Sequence, residues 1–100
     1  MKEPFSFEKG RIVRSTQGRD RGRYFLILEG PEGDLVRIAD GLTHPLKRPK
    51  KKKIRHLHAE AIVVNLEEIR PEGGEVQDSD LRRALEMNGF AVERPLCKEG

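Results

Sequence analysis

Two apolar runs flank a charged turn in GRIVRSTQGRDRGRYFLIL, residues 10–28, and this segment indicates the fold most directly. Both runs carry the β-branched and aromatic residues that strands favour. The segment between them, QGRDRG, offers Gly18 and Gly22 for the backbone conformations that tight turns need. A turn of this kind between two apolar runs predicts a β-hairpin.

A third strand is predicted in LVRIAD, residues 35–40, after the turn segment EGPEGD. Apolar character alternates here, which places Val36 and Ile38 on one face and Leu35 and Arg37 on the other. We therefore expect one buried and one exposed face.

The fourth and fifth strands are predicted after the glycine and prolines of GLTHPLKRP. KKIRHL, residues 52–57, has a single apolar residue, Ile54, among cations and predicts an edge strand. AEAIVVNL, residues 59–66, contains the β-branched run of a strand buried on at least one face.

Five short strands with local connections predict a mostly β fold, either a strongly bent sheet or a small barrel. A short C-terminal α-helix follows, with Asp78 or Ser79 as its N-cap and Gly89 as its stop. The apolar stripe of this helix comprises Leu81, Ala84 and Leu85. A helix of about three turns is marginal alone, so we expect the stripe to pack on the β domain; a partner protein is the alternative.

The predicted organisation is one β domain over residues 1–69, a linker over 70–77, and a helix with a tail over 78–100. A chain of 100 residues with 35% hydrophobic side chains can form one small core. Cys97 is the single cysteine, so an intramolecular disulfide is excluded. No apolar run reaches membrane-spanning length, and we expect a cytoplasmic monomer.

The charge distribution is the feature that bears most directly on function. Residues 1–58 carry 15 lysines and arginines against 7 acidic residues, whereas residues 59–100 carry 5 against 10. The net charge of +3 is therefore the sum of two opposed halves. The basic half contains LKRPKKKKIRHLH, residues 46–58, in which seven of the nine positions 47–55 are cationic. Such a surface suits a polyanion.

Catalytic and metal-binding patterns are not found in the sequence. G-x-S-x-G, G-x-x-x-x-G-K-[ST] and H-E-x-x-H are absent, and the three histidines and Cys97 lack paired-ligand spacing. We expect no enzymatic activity, no metal and no cofactor.

The residues 10–28 resemble a KOW motif, a strand, a glycine-bearing turn and a second strand. With LVRIADG and a basic segment ending in IRHL, residues 7–66 are similar to the KOW-containing large-subunit ribosomal proteins of archaea and eukaryotes and their small bacterial relatives. The resemblance implies a small SH3-like five-stranded barrel that binds RNA, usually ribosomal RNA. It also implies that Gly18 is the motif glycine, that Arg19 and Asp20 are turn residues, and that Asp40 and Gly41 form the turn after the third strand.

The residue chemistry points to the same partner, because arginine forks grip phosphate oxygens bidentately and lysines are point charges suited to phosphate contact without base reading. The predicted RNA-binding residues are Arg11, Arg14, Arg19, Arg21, Arg23, Tyr24, Lys47, Arg48, Lys50, Lys51, Lys52, Lys53, Arg55 and His56. Gly18, Asp20 and Gly22 are predicted to shape the turn, with the Asp20 carboxylate capping its own turn and limiting repulsion between Arg19 and Arg21. We expect replacement of Lys50 to Lys53 by glutamine to weaken RNA binding and to leave the fold unchanged.

Alternatives to this reading follow from the same residues. The cations of the turn are also compatible with an ordinary solvated surface, and Tyr24 with a half-buried strand tyrosine. An SH3-like barrel can dock proteins of the transcription or translation apparatus, with the helix as a contact to ribosomal proteins. A general nucleic-acid binder would take DNA as well as RNA.

Overall fold

Strands β1 (Arg11–Ser15) and β2 (Tyr24–Glu32) form the predicted hairpin in a computed structural model, which describes residues 5–69 and 74–90. The two strands are antiparallel, with Val13 opposite Phe25. The amide of Ser15 donates to the carbonyl of Arg23 over 2.9 Å and closes the hairpin where the turn begins. The prediction for this segment is confirmed.

The hairpin lies inside a single five-stranded antiparallel sheet. The other strands are β3 (Leu35–Ala39), β4 (Lys50–Lys53) and β5 (Leu57–Val63), and the order in space is β4-β3-β2-β1-β5. With the helix α1 (Asp78–Met87), this confirms a mostly β fold with one short C-terminal helix. Within the described residues β4 and β5 remain the two edges, so the bent sheet is the correct alternative and a closed barrel is not formed. The strand order is compatible with an SH3-like arrangement.

The fourth strand was predicted too late in the chain. Lys50–Lys53 pairs with β3, placing Lys52 opposite Val36. The following residues Ile54–His56 form a 3₁₀ turn, and β5 begins at Leu57 rather than at residue 59. Ile54 is half-buried against the core and is the first residue of this 3₁₀ turn, not the centre of a strand.

The sheet buries both of its faces along β1 and β2. One face carries a first cluster of buried residues: Phe7, Val13, Phe25, Ile27, Val36, Ile38, Leu57 and Ala59. The other face carries a second cluster, which includes the helix: Ile12, Leu26, Ala39, Leu66, Leu81, Ala84 and Leu85. Alternate residues of one strand enter opposite clusters, which explains why RYFLIL is apolar without interruption.

The helix packs on its own sheet, as expected. Leu81 and Leu85 are fully buried in the second cluster. The N-cap is Gln77, one residue earlier than predicted, and its backbone amide donates to the carboxylate of Asp80 over 2.8 Å. Glycine is needed at Gly41, where φ is +78° and an added Cβ would lie 2.2 Å from the carbonyl oxygen of Asp78.

The tail beyond residue 90, which includes Cys97, and residues 70–73 of the predicted linker lie outside the described residues. No helix in the part of the chain that the structure describes is both long and apolar enough to cross a membrane.

Candidate nucleic-acid interface

Asp20, at the tip of the β1–β2 turn, is the centre of a buried ion-pair cluster. Its carboxylate is only 5% exposed and accepts hydrogen bonds from Lys52 Nζ at 2.9 Å, Lys50 Nζ at 3.1 Å and Ser15 Oγ at 2.7 Å. Lys52 Nζ also donates to the carbonyl oxygen of Gln17 over 2.8 Å. We call Ser15, Gln17, Asp20, Lys50 and Lys52 the aspartate hub.

The hub joins the turn to the edge strand β4. The carboxylate partners Lys50 and Lys52 lie 30 and 32 residues beyond Asp20. Asp20 is therefore structural, as predicted, but it binds two distant lysines rather than the backbone of its own turn. In the absence of a β4–β5 ladder, this ion-pair cluster holds one edge of the sheet against the first hairpin.

The ionisation of Asp20 is set by two opposing effects. Burial alone would raise its pKa, but the hydrogen bonds from Lys52, Ser15 and Lys50 outweigh burial and lower the pKa from 3.8 to about 2. The carboxylate is charged at neutral pH and balances one of the two lysine charges in the hub.

The four-lysine run is divided between two tasks by the alternation of strand β4. Lys52 is 7% exposed, and its ammonium is bound to Asp20 and Gln17. Lys51 and Lys53 point to the other side of the strand and are exposed. Lys52, a predicted phosphate contact, is thereby corrected to a buried residue of the hub.

The hub joins two chain segments that each carry exposed cations. Arg19 and Arg21 are exposed on either side of buried Asp20, while Lys51 and Lys53 are exposed on either side of buried Lys52. Since Asp20 and Lys52 are in direct contact, the hub ties the turn that carries Arg19 and Arg21 to the strand that carries Lys51 and Lys53, whose side chains point to the side of β4 opposite Lys52. Among the described residues, none of these four has an ion-pair partner.

The 3₁₀ turn adds a fifth cation to this region. The carbonyl of His56 accepts a hydrogen bond of 2.9 Å from the amide of Thr16, which fixes the 3₁₀ turn beside the start of the β1–β2 turn. Arg55 is exposed on the 3₁₀ turn, whereas His56 is half-buried. The region that we call the basic surface comprises Arg19, Arg21, Lys51, Lys53 and Arg55.

The loop before β4 carries two more of the predicted cations. Its backbone is held because Leu46 donates to Asp78 Oδ1 of the helix over 2.8 Å and Arg48 donates to the carbonyl of Pro45 over 2.9 Å. Arg48 and Lys47 are exposed. Lys47 lines a groove that Glu75 and Asp78 also line.

Two predicted RNA contacts on β1 are engaged elsewhere in the fold. Arg11 is 7% exposed, donates to the backbone of Ser6 and Glu60, and lies over the Phe5 ring. The prediction that Arg11 contacts RNA is therefore wrong, because its side chain is buried. Arg14 is half-exposed and lies 3.9 Å from a carboxylate oxygen of Glu60 on the helix-bearing side of the sheet.

Tyr24 and Arg23 also depart from the predicted interface. The ring centroids of Tyr24 and Phe90 are 4.4 Å apart, so the tyrosine is half-buried against the second cluster and the alternative reading applies to it. Arg23 is half-buried, and its backbone closes the hairpin with Ser15.

Sequence reasoning missed several residues that the structure places in or beside the site. Ser15 and Gln17 belong to the hub, and no local pattern connects them to lysines more than 30 residues away. Arg37 lies opposite Lys51 on β3 and is exposed; the alternation of LVRIAD already placed it outward.

Gly18 is explained by the same contacts. Its φ is +91°, and an added Cβ would lie 3.4 Å from Lys52 Nζ. A side chain there would strain the turn and press on the hub. At Gly22, where φ is +88°, an added Cβ would have no atom within 4 Å. Glycine is favoured there by the backbone conformation and not by a lack of space.

Within residues 5–69 and 74–90, no three histidine, cysteine, aspartate or glutamate side chains are grouped to hold a metal ion. Comparison of the chain with protein-family models and with curated proteins finds no match.

Proposed function

We propose that this protein binds structured RNA, ribosomal RNA in particular, by neutralising backbone phosphates with the basic surface. The observation that carries the proposal is the hub, which joins the turn bearing Arg19 and Arg21 to the strand bearing Lys51 and Lys53, two segments about 30 residues apart in the chain. Charge that is merely solvated needs no such framework. The KOW-like pattern of residues 10–28 supports the same class of ligand.

The side chains of the basic surface suit phosphate oxygens. Arg19, Arg21 and Arg55 offer guanidinium forks, and Lys51 and Lys53 offer mobile ammonium groups. Contacts of this kind fix the position of a protein on a nucleic acid and carry little sequence information. Affinity should accordingly fall steeply as salt is raised.

Stacking on bases contributes little to the proposed contact. The aromatic rings within the described residues are buried or half-buried, and the only tyrosine packs on Phe90. Proteins that bind single strands without sequence preference usually present exposed aromatic platforms. A folded RNA recognised through its phosphates and shape is the better match.

The test separates the exposed from the buried lysines of β4. The variant Lys51→Gln/Lys53→Gln should keep the free energy of unfolding within about 0.5 kcal/mol of wild type, because both side chains are exposed. Its log–log salt slope for binding a ribosomal RNA fragment should be shallower by roughly 1.4 to 1.8, since two phosphate contacts are lost. Fluorescence anisotropy over a salt series measures the slope, and urea unfolding measures the stability.

The matched variant is Lys50→Gln/Lys52→Gln, which removes the same charge. Its main effect should be on stability, because Asp20 then loses both ammonium partners. This revises the expectation that the whole lysine run can be replaced without affecting the fold. Equal RNA affinity and slope for wild type and Lys51→Gln/Lys53→Gln would contradict the proposed interface.

The ribosomal assignment is tested in the cell. The protein should co-sediment with ribosomal particles in a density gradient and yield ribosomal RNA sequences after crosslinking. Recovery in particle-free fractions with no crosslinked RNA would reject it. A partner-docking role has less support, because the apolar stripe of the helix is buried on its own sheet.

A further inference from the structure

A second polar feature adjoins the basic surface on the outer side of the β2–β3–β4 sheet. Glu29 of β2, Arg37 of β3 and Lys51 of β4 form one row across three strands, because Arg37 is opposite both Glu29 and Lys51 in the two ladders. Arg37 Nε lies 3.5 Å from Glu29 Oε1. Two strand spacings separate the ends of the row by roughly 10 Å.

The row borders an open groove of about 380 Å³. Its lining includes Gly30, Pro31 and Leu35 in addition to the row. The β2–β3 ladder shifts register on both sides of Glu29, and such irregularities re-aim side chains at the place where they occur. The groove thus combines a partly apolar wall with a donor and an acceptor at its rim.

The arginine–glutamate pair is accessible to a ligand. The side chain of Glu29 is 72% exposed and that of Arg37 is 44% exposed. Exposed ion pairs of this kind contribute little to stability, so opening or sharing the pair costs little. The guanidinium offers N–H donors while the carboxylate offers two acceptor oxygens beside them.

This order of donor and acceptor matches one base edge better than the others. The Watson–Crick edge of guanine presents the O6 acceptor followed by two N–H donors, which the guanidinium and the carboxylate respectively satisfy. Adenine, cytosine and uracil do not have two adjacent N–H donors on this edge, so each of them leaves one oxygen of the Glu29 carboxylate without a partner. The edge is free only when the base is unpaired.

We propose that the groove binds one unpaired guanosine of the RNA, with Arg37 and Glu29 reading the base and Lys51 contacting its phosphate. The inference rests on the proposed function and deepens it. Lys51 belongs to both sites, so the guanosine would lie next to the duplex held by the basic surface. The protein would then recognise a stem interrupted by a bulged or looped guanosine rather than any duplex.

The experiment uses three RNA hairpins with the same stem, carrying a bulged guanosine, a bulged adenosine or no bulge. Wild-type protein should bind the guanosine hairpin on the order of tenfold more tightly than the other two. Glu29→Gln should remove most of this preference while leaving the affinity for the unbulged stem equal or slightly higher, since it removes one negative charge. Because Glu29 is largely exposed, the variant should fold normally.

Glu86→Gln is the matched control, because it also removes the charge of an exposed glutamate, but from the helix, away from the groove. It should retain the full guanosine preference. Equal binding of all three hairpins would overturn the inference and leave the proposed function standing, as would a guanosine preference that survives in Glu29→Gln. Failure to bind any hairpin would overturn both.

Discussion

At the scale of single residues, Asp20 decides how the molecule holds together. A carboxylate in water gains little from one lysine, whereas the buried carboxylate of Asp20 needs the hydrogen bonds from Ser15, Lys50 and Lys52 to offset its loss of water. Removing its charge leaves Lys52 buried without its counterion. Breaking a buried pair in this way is usually more costly than the pair is worth.

We expect Asp20→Asn to lower the free energy of unfolding at pH 7 by roughly 3 kcal/mol, the magnitude typical of breaking a buried ion pair. Urea unfolding followed by circular dichroism measures the change. Asp34→Asn is the control, because that side chain is exposed on the β2–β3 turn and should change stability by less than about 0.5 kcal/mol. Similar losses of unfolding free energy in both variants would show that the hub contributes no more to stability than an exposed turn residue.

The pKa of Asp20 makes a separate prediction about acid. The folded pKa of about 2 lies below the ordinary 3.8, so the stabilising contribution is complete above pH 4 and is lost as pH falls towards 2. The shift corresponds to about 2 kcal/mol. Unfolding free energies measured between pH 5 and pH 2 should fall by about this amount more in wild type than in Asp20→Asn. Parallel pH curves for the two proteins would disprove the assignment.

The hub also shows which features of the site can be predicted from the local sequence and which cannot. The glycines and charges of QGRDRG were sufficient to predict a turn with a structural aspartate. The partners of that aspartate lie in another strand, and all four lysines of the run look alike in sequence. Only the alternation of β4, set by its pairing with β3, separates buried Lys52 from exposed Lys51 and Lys53.

At the scale of the elements, the accuracy of prediction followed the number of apolar residues in each strand. Strands β1, β2 and β3 have alternating or continuous apolar patterns that fix their location and faces. Strand β4 consists of four lysines, so its position depends on backbone pairing with β3, which a hydrophobic pattern does not reveal. A closed barrel was predicted but is not formed in the described part of the chain, for the same reason. The sequence of a charged strand does not show whether its free edge pairs with another strand.

The helix should be integral to the β domain rather than an appendage. Leu81→Ala removes a fully buried side chain that packs against the sheet and should cost about 3 kcal/mol of unfolding free energy. Met87→Ala, at a position that is 76% exposed, should cost less than about 0.5 kcal/mol. Chemical denaturation provides both values, and one shared transition for helix and sheet signals is expected. A Leu81→Ala variant as stable as Met87→Ala would mean that the helix does not dock.

The approach of the helix to the β3–β4 loop can be tested with two glycines of similar backbone conformation. Gly41→Ala and Gly33→Ala both place a side chain at positive φ, +78° and +63° respectively. Only at Gly41 does the added Cβ meet another backbone, that of Asp78. Gly41→Ala should therefore be the more destabilising by at least about 1 kcal/mol, since strain alone accounts for the effect at Gly33. Equal losses would place the helix farther from the loop.

At the scale of the whole molecule, charge is unevenly distributed. The basic surface surrounds β4 and the first hairpin, while exposed acidic residues such as Glu67, Glu75 and Glu86 lie around the helix and the segment before it. A protein with this distribution approaches a polyanion with its basic side and keeps its acidic side in solvent. The modest net charge therefore understates the field at the proposed interface.

Chemical labelling of the complex can test that orientation. In the RNA-bound protein, Lys51 and Lys53 should be protected from acetic anhydride, while Lys9 should react as it does in the free protein. All three are exposed, so they are comparable before RNA is added. Mass spectrometry of the acetylated peptides gives the ratios. Uniform protection, or protection of Lys9 alone, would contradict the proposed orientation.

The pairing of β4 also affects how the chain is cut by trypsin. Four consecutive lysines would be an early cleavage site in an unfolded chain, but here the backbone of Lys50–Lys53 is paired with β3 and the Lys52 side chain is buried. Cleavage after Lys52 requires this edge to open, whereas the exposed Arg19 and Arg21 lie in a turn. The rate of cutting after Lys52 thus reports the local opening of β4, and binding of RNA to the neighbouring lysines should slow it.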